Sequence, residues 1–228
     1  MGMKQHLATA AIALVGGFAG AAIWSFTGLG HSQTRDYLVS NPGILPEMAD
    51  AWQAEQSRDQ LAQVADEVRK PFPGAVLGNP NGTRTLVKFT DYACGYCRIS
   101  VADVDRLVQE HPDVRVVIRE FPIFEGSDVP ARMALAAAKQ GKYKAFHHAM
   151  FELGSPTPEN VMLAAQQAGL DLDAAREYGA SEEVAAELVR NQELARSLGF
   201  TGTPSWVAGD QVIEGAIGFD RLEAALGS

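Results

Sequence analysis

The two cysteines of this 228-residue chain fall in one tetrapeptide, Cys94-Gly95-Tyr96-Cys97. Thiols two residues apart can close on each other or attack a disulfide elsewhere, so the spacing points to redox chemistry. A run of β-formers, Thr85-Leu86-Val87-Lys88-Phe89-Thr90, precedes the motif. From Cys97 to about Glu110 an apolar stripe (Ile99, Val101, Val104, Leu107, Val108) recurs at helical spacing. Cys94 is therefore expected where a strand hands over to a helix. The first turn of a helix has unpaired N–H groups and the positive end of the macrodipole. Thiols placed there have pKa values of roughly 3.5 to 7.5 in place of about 8.5. On that reading Cys94 is the nucleophile. Cys97, one turn later and deeper, is the resolving thiol that releases a mixed disulfide.

Two plainer readings compete. A CxxC is also half of a zinc site, which needs two further N or S ligands. The remaining donors are His6, His31, His111, His147 and His148, and the adjacent pair His147 and His148 would point in different directions from a helix. Those two read as surface or satisfied core. The other reading is a purely structural disulfide. A redox-active pair is preferred to both, with no metal and no cofactor expected.

The composition, 46% hydrophobic and 21% charged, is that of a globular protein. The net charge of −9 with scattered basic residues gives no footprint for nucleic acid. Residues 7–29 contain no charge. As a helix that segment spans about 35 Å, enough to cross the hydrocarbon core. Residues 1–30 are thus expected to form a membrane anchor or a signal segment. Lys4 ahead of it places the N-terminus inside. The anchor is favoured over cleavage after Ala19-Gly20-Ala21, which would leave the apolar Ala22-Ile23-Trp24-Ser25-Phe26 on the mature end. Either way the remainder is exported, and an exported chain with a single CxxC fits a periplasmic redox protein.

Residues 31–71 read as a helical stem. A helical turn over 36–40 breaks at Asn41-Pro42-Gly43, and a charged helix over 47–70 stops at Pro71 and Pro73. Its apolar stripe (Leu45, Met48, Trp52, Leu61, Val64, Val68) is narrow. Such a helix lies on its own domain or pairs with copies of itself. Residues 72–228 begin with strands over 75–77, 84–90 and 113–120, the last two flanking the CxxC helix. From 131 to 198 only helical blocks follow. Strands over 204–207 and 211–214 then flank Ala208-Gly209-Asp210, a hairpin signal, and a helix over 219–226 closes the chain.

Three stretches carry a family resemblance: Phe89-Thr90-Asp91-Tyr92-Ala93-Cys94-Gly95-Tyr96-Cys97-Arg98, Arg119-Glu120-Phe121-Pro122-Ile123 and Gly202-Thr203-Pro204-Ser205-Trp206. Over roughly 72–228 the chain resembles the DsbA-like thiol:disulfide oxidoreductases of the thioredoxin superfamily. The stem, from Arg35-Asp36-Tyr37-Leu38 through Asn41-Pro42, is similar to that of the ScsC-like branch. The resemblance implies an α/β thioredoxin fold with an all-helical insertion at about 131–198. It implies that Cys94 and Cys97 are the redox pair, with Gly95 and Tyr96 as the motif interior. It further implies that Thr203 and Pro204 form a cis-proline loop beside Cys94, where the Thr203 backbone pairs with an extended substrate.

The resemblance breaks at Lys88, six residues before Cys94, where many members of the family place a buried acid that assists proton transfer. On strand parity Lys88 shares a face with Leu86 and Thr90. Facing the cysteines, its charge would favour thiolate while burial lowered its own pKa. Otherwise it reaches solvent and does nothing.

The function expected is disulfide exchange with Cys-containing exported proteins, served by a membrane partner that reoxidises or reduces the pair. Gly95-Tyr96 and Thr203 resemble an isomerase-type site and the helical insertion resembles oxidases. Exchange and isomerisation are favoured, and a stem that formed a homo-oligomer would add to that case. The rival is a non-catalytic thioredoxin-like module that binds partners, or a soft metal such as Cu(I), through Cys94 and Cys97.

Overall fold

A computed structural model describes residues 2–26 and 29–227. The central strand is β2 (Arg84–Thr90), and β1 (Val76–Gly78) lies at one edge of its sheet. β3 (Val114–Glu120) runs parallel to β2 on one side, and β4 (Ser205–Ala208) antiparallel on the other. β1 pairs with β3 and β5 (Gln211–Glu214) with β4, both antiparallel, giving the order β1-β3-β2-β4-β5. β2 and β3 are apolar on both faces because both faces are covered, as in parallel pairs flanked by helices.

Alternation along these strands sorts the molecule into two layers. Leu86, Val116, Ile118 and Trp206 face one core, with Cys97 and Leu107 of α4 (Gly95–Glu110). That core also takes Tyr143, Phe146 and Met150 from the insertion. Val87, Phe89, Val117 and Val207 face the other, with Leu194 and Leu198. The insertion comprises α5 (Asp128–Lys139), α6 (Tyr143–Leu153), α7 (Pro158–Gln167), α8 (Leu172–Gly179) and α9 (Glu182–Ser197), and α10 (Phe219–Leu226) closes the chain. Thr157, Asp171 and Ser181 cap three of these helices by accepting from the backbone N–H groups of Asn160, Ala174 and Val184. The first helix starts at Asp128, before the expected 131, because Pro130 sits in its first turn, where a missing N–H costs nothing.

The chain divides into two compact units, Met1–Gln53 and Ala54–Ser228. The boundary falls inside α3 (Ile44–Arg69), so the second half of the stem helix belongs to the catalytic unit. Leu61 and Val68 are buried in the second core, with Val64 packed against it. Arg119 holds the end of that helix. Its guanidinium donates to the carbonyls of Glu67, of Val68 at 3.2 Å and of Lys70 at 2.5 Å, where the helix stops. The same group pairs with Glu187 at 2.8 Å and with Asn191 at 3.0 Å on α9.

The first unit holds α1 (Met3–Phe26), α2 (Leu29–Ser40) and the start of α3. α2 is longer than the single turn expected, since its early residues are polar and carry no apolar stripe to read. Leu45, Met48 and Trp52 are exposed. Among the described residues no helix is long and apolar enough to cross a membrane. The favoured anchor is therefore unsupported. α1 has 24 residues. Positions 27 and 28 of the expected 7–29 span lie outside the described residues.

Candidate active site

Cys94 is the N-cap of α4, with an extended backbone (φ −81°, ψ 117°). Its Sγ accepts the Cys97 N–H at 3.4 Å, one of the donors a helix start leaves free. On its other side the Cys94 thiol donates to the Thr203 carbonyl at 3.1 Å. The Thr203–Pro204 peptide is cis and Pro204 is buried. Strand β2, helix α4 and the loop before β4 thus converge on one sulfur. Both thiols are free, Cys94 4% exposed and Cys97 fully covered. Within the motif Gly95 and Tyr96 face outward, Tyr96 being 66% exposed. A Cβ at Gly95 would meet open space, so packing does not demand glycine there.

Burial pushes the Cys97 thiol up to about 11, against the pull of the Lys88 charge. The hydroxyls of Thr90 and Thr203 also favour its thiolate, although neither closes a hydrogen bond of full geometry. Lys88 is fully buried beneath the motif, which disposes of the solvent-reaching alternative. Its Nζ lies 3.5 Å from the Cys97 carbonyl, 5.4 Å from the Trp206 ring centroid and 5.7 Å from that of Phe151. These aromatic faces supply part of what water would give an ammonium. Burial still lowers its pKa to about 8, with the negative ends of Cys97, Glu120 and Cys94 opposing.

A buried acid is present, on the neighbouring strand. Glu120, last residue of β3, is fully buried and shares the face of Val116 and Ile118. Its Oε1 accepts from Tyr143 at 2.6 Å and Tyr92 at 3.1 Å. Burial raises its carboxyl to about 8, with the two tyrosine hydrogen bonds opposing. At neutral pH the buried group that carries charge under the thiols is Lys88, with Glu120 protonated. In the sequence Glu120 stands out only as part of a family match. The signal that marks it is a lone carboxylate closing an apolar strand at core parity.

His147 completes the cluster, with Nδ1 3.1 Å from the Tyr92 hydroxyl. Burial first, then the Lys88 charge, hold its pKa well below the usual histidine range, so it is neutral. His148 points away and meets Asp105 of α4 at 2.9 Å. Among the described residues the potential metal-ligand group is Glu110, His111 and Glu223, which includes neither cysteine.

Residues 85–227 match the family model of the DSBA-like thioredoxin domain. The chain belongs to that family. Its fold and buried thiol pair are those of a DsbA-like thiol:disulfide oxidoreductase, on the ScsC-like branch. A thioredoxin-like oxidoreductase from Silicibacter pomeroyi DSS-3 is 44% identical, with TM-score 0.64, covering 67% of this chain and 89% of that one. A linker-deletion mutant of Proteus mirabilis ScsC is 27% identical, with TM-score 0.71, covering 86% and 91%. A periplasmic thioredoxin-like protein from Salmonella enterica serovar Typhimurium is 29% identical, with TM-score 0.62, covering 72% and 94%. Among curated proteins, Na(+)/H(+) antiporter NhaA 3 of Salinispora tropica is 27% identical over 165 residues, 71% of this chain. The chain spans about a quarter of the length of the curated relatives it matches (24% of that antiporter).

Proposed function

We propose that this protein exchanges disulfides with Cys-containing exported proteins through Cys94 and Cys97, and that isomerisation outweighs net oxidation. One observation carries the reading. Cys94 caps α4 with its sulfur against a backbone N–H that the helix start leaves free and beside the cis-proline loop, where a substrate backbone can align. Cys94 thiolate attacks a substrate disulfide, one substrate thiolate leaves, and a mixed disulfide forms. Cys97 attacks Cys94 Sγ, its proton passing to the second substrate thiolate as that is expelled, and the Cys94–Cys97 bond closes. For isomerisation a different substrate thiolate attacks the substrate sulfur of the mixed disulfide instead, forming a new disulfide within the substrate and expelling Cys94 as thiolate.

Lys88 and Glu120 supply the proton chemistry. The Lys88 charge favours the Cys97 thiolate, and Glu120 acts on the pair through Lys88, whose charged form it favours when it ionises. Thr203 and Pro204 align the substrate strand, while Tyr96 and Gly95 leave the mouth of the site open. The location that suits this activity is the periplasm, with the N-terminal segment acting as the export signal. A membrane protein returns the cysteines to their working redox state. The exposed stem residues Leu45, Met48 and Trp52 join copies of the chain, so that several sites share one cleft.

The test is refolding of a scrambled disulfide protein by the purified full chain. Recovery of native substrate, abolished in Cys94→Ser, is expected. Stoichiometric copper retention with no recovery would point to the metal-binding module instead.

A further inference from the structure

The Asp91 carboxylate is buried and met on every side. Oδ1 accepts the Ala93 N–H at 2.7 Å and the Ser127 hydroxyl at 2.5 Å. Oδ2 accepts the N–H groups of Ile123 at 2.7 Å and Phe124 at 3.1 Å. A carboxylate taken out of water is tolerated only when its oxygens are satisfied, and here four donors do so. The donors come from two segments. Ala93 is the residue before Cys94, and residues 123–127 form the loop that leaves β3 for the insertion. One side chain therefore ties the turn that presents the nucleophile to a loop remote in sequence.

What that loop carries gives the tie a purpose. Ile123 is 39% and Phe124 50% exposed, although both are large and apolar. The Phe124 backbone stands two hydrogen bonds from Ala93, through one carboxylate. On α4, Tyr96 and Ile99 are also exposed. Apolar surface thus flanks Cys94 from two elements. The exchange chemistry names the occupant, because the sulfur of a protein substrate must bond to Cys94 Sγ. The residues beside that substrate cysteine then lie within a few ångströms of this surface.

We propose that Asp91 is a positioning residue that holds the Ile123–Phe124 loop beside Cys94, as a wall for the apolar residues flanking the cysteine of a protein substrate. The proposal rests on the disulfide-exchange reading. Asp91→Asn keeps the size but turns an NH2 group toward backbone donors, so part of the tie is lost. Phe124→Ala removes wall and leaves the tie.

Full-length wild type, Asp91→Asn and Phe124→Ala should be compared on a scrambled disulfide protein and on oxidised glutathione, which has no apolar residues beside its cysteine to rest on the wall. Each variant is expected to lose about tenfold more kcat/KM on the protein substrate than on glutathione, mainly through KM, the scale of one apolar group in a binding site. Equal losses on both substrates, or none on either, overturn the proposal. If Asp91→Asn does not fold, Phe124→Ala decides by the same comparison. A wild type inactive on both substrates would remove the exchange reading itself, an outcome distinct from unequal or equal losses in active variants.

Discussion

Lys88 and Glu120 exchange the places that a sequence comparison assigns to charge under the thiols. Parity along β2 is enough to put Lys88 on the face of Leu86 and Thr90, and the structure adds that no route to solvent exists there. The role of Glu120 was not legible, because its partners Tyr92 and Tyr143 lie 28 and 23 residues away and meet it only once β2 pairs with β3 and the insertion folds back. The cysteine pair was legible from its spacing, and the Thr203–Pro204 loop only through the family resemblance, since it meets Cys94 across 109 residues. The buried acid makes a prediction. The Glu120 carboxyl, with an ordinary value near 4.5, is raised to about 8 in the folded protein. A raised pKa means that the folded state holds a proton the unfolded chain has lost. The stability it contributes is complete below about pH 4.5 and disappears as pH rises through 8. Relative to Glu120→Gln, the wild type should lose roughly 3–5 kcal/mol between pH 5 and pH 8.5. Urea unfolding of both proteins at the two pH values reads this, and parallel pH profiles would contradict it.

At the scale of elements, period and punctuation placed the strands, the CxxC helix and the all-helical insertion close to where they stand. What periodicity could not show was how the stem helix ends. Its last turn runs into Arg119, which is 2% exposed and bridges α3, β3 and α9. That side chain sits on the opposite face of β3 from Glu120, and Asn191 reaches from α9 to the Glu120 carbonyl at 3.0 Å. The strand that carries the buried acid is thereby fixed from behind. Removing the guanidinium takes the partner from Glu187 Oε1, leaving Arg190 on Oε2, and the donor from the Val68 and Lys70 carbonyls. Arg119→Ala is expected to cost about 3–5 kcal/mol in chemical denaturation. Arg119→Lys should recover little, since an ammonium cannot present the planar fork that reaches both helices. A cost under about 1 kcal/mol would show the clamp to be incidental.

For the whole molecule, the sequence divided the chain at 71/72 because two prolines punctuate it there. Packing divides it at 53/54, because Leu61, Val64 and Val68 cover the sheet. The narrow stripe on α3 thus serves two purposes in succession, its second half lying on the domain and its first half standing exposed. Leu45, Met48 and Trp52 follow three- and four-residue spacing, the pattern of helices that pair. If the stem joins copies of the chain, light scattering on the full protein should give a multiple of the 24.4 kDa chain mass. Trp52→Glu should lower it. A monomer at tens of micromolar would remove the shared-cleft element of the proposed isomerase.

The sulfur chemistry itself is tested most directly by trapping. Full-length Cys97→Ser, mixed with a scrambled disulfide protein and quenched with acid, should accumulate a covalent one-to-one adduct that dithiothreitol releases. Mass spectrometry should place the bond at Cys94, and Cys94→Ser should form none under the same conditions. An adduct that forms equally through Cys97, or no adduct from either variant, would contradict the assignment of Cys94 as the attacking thiol.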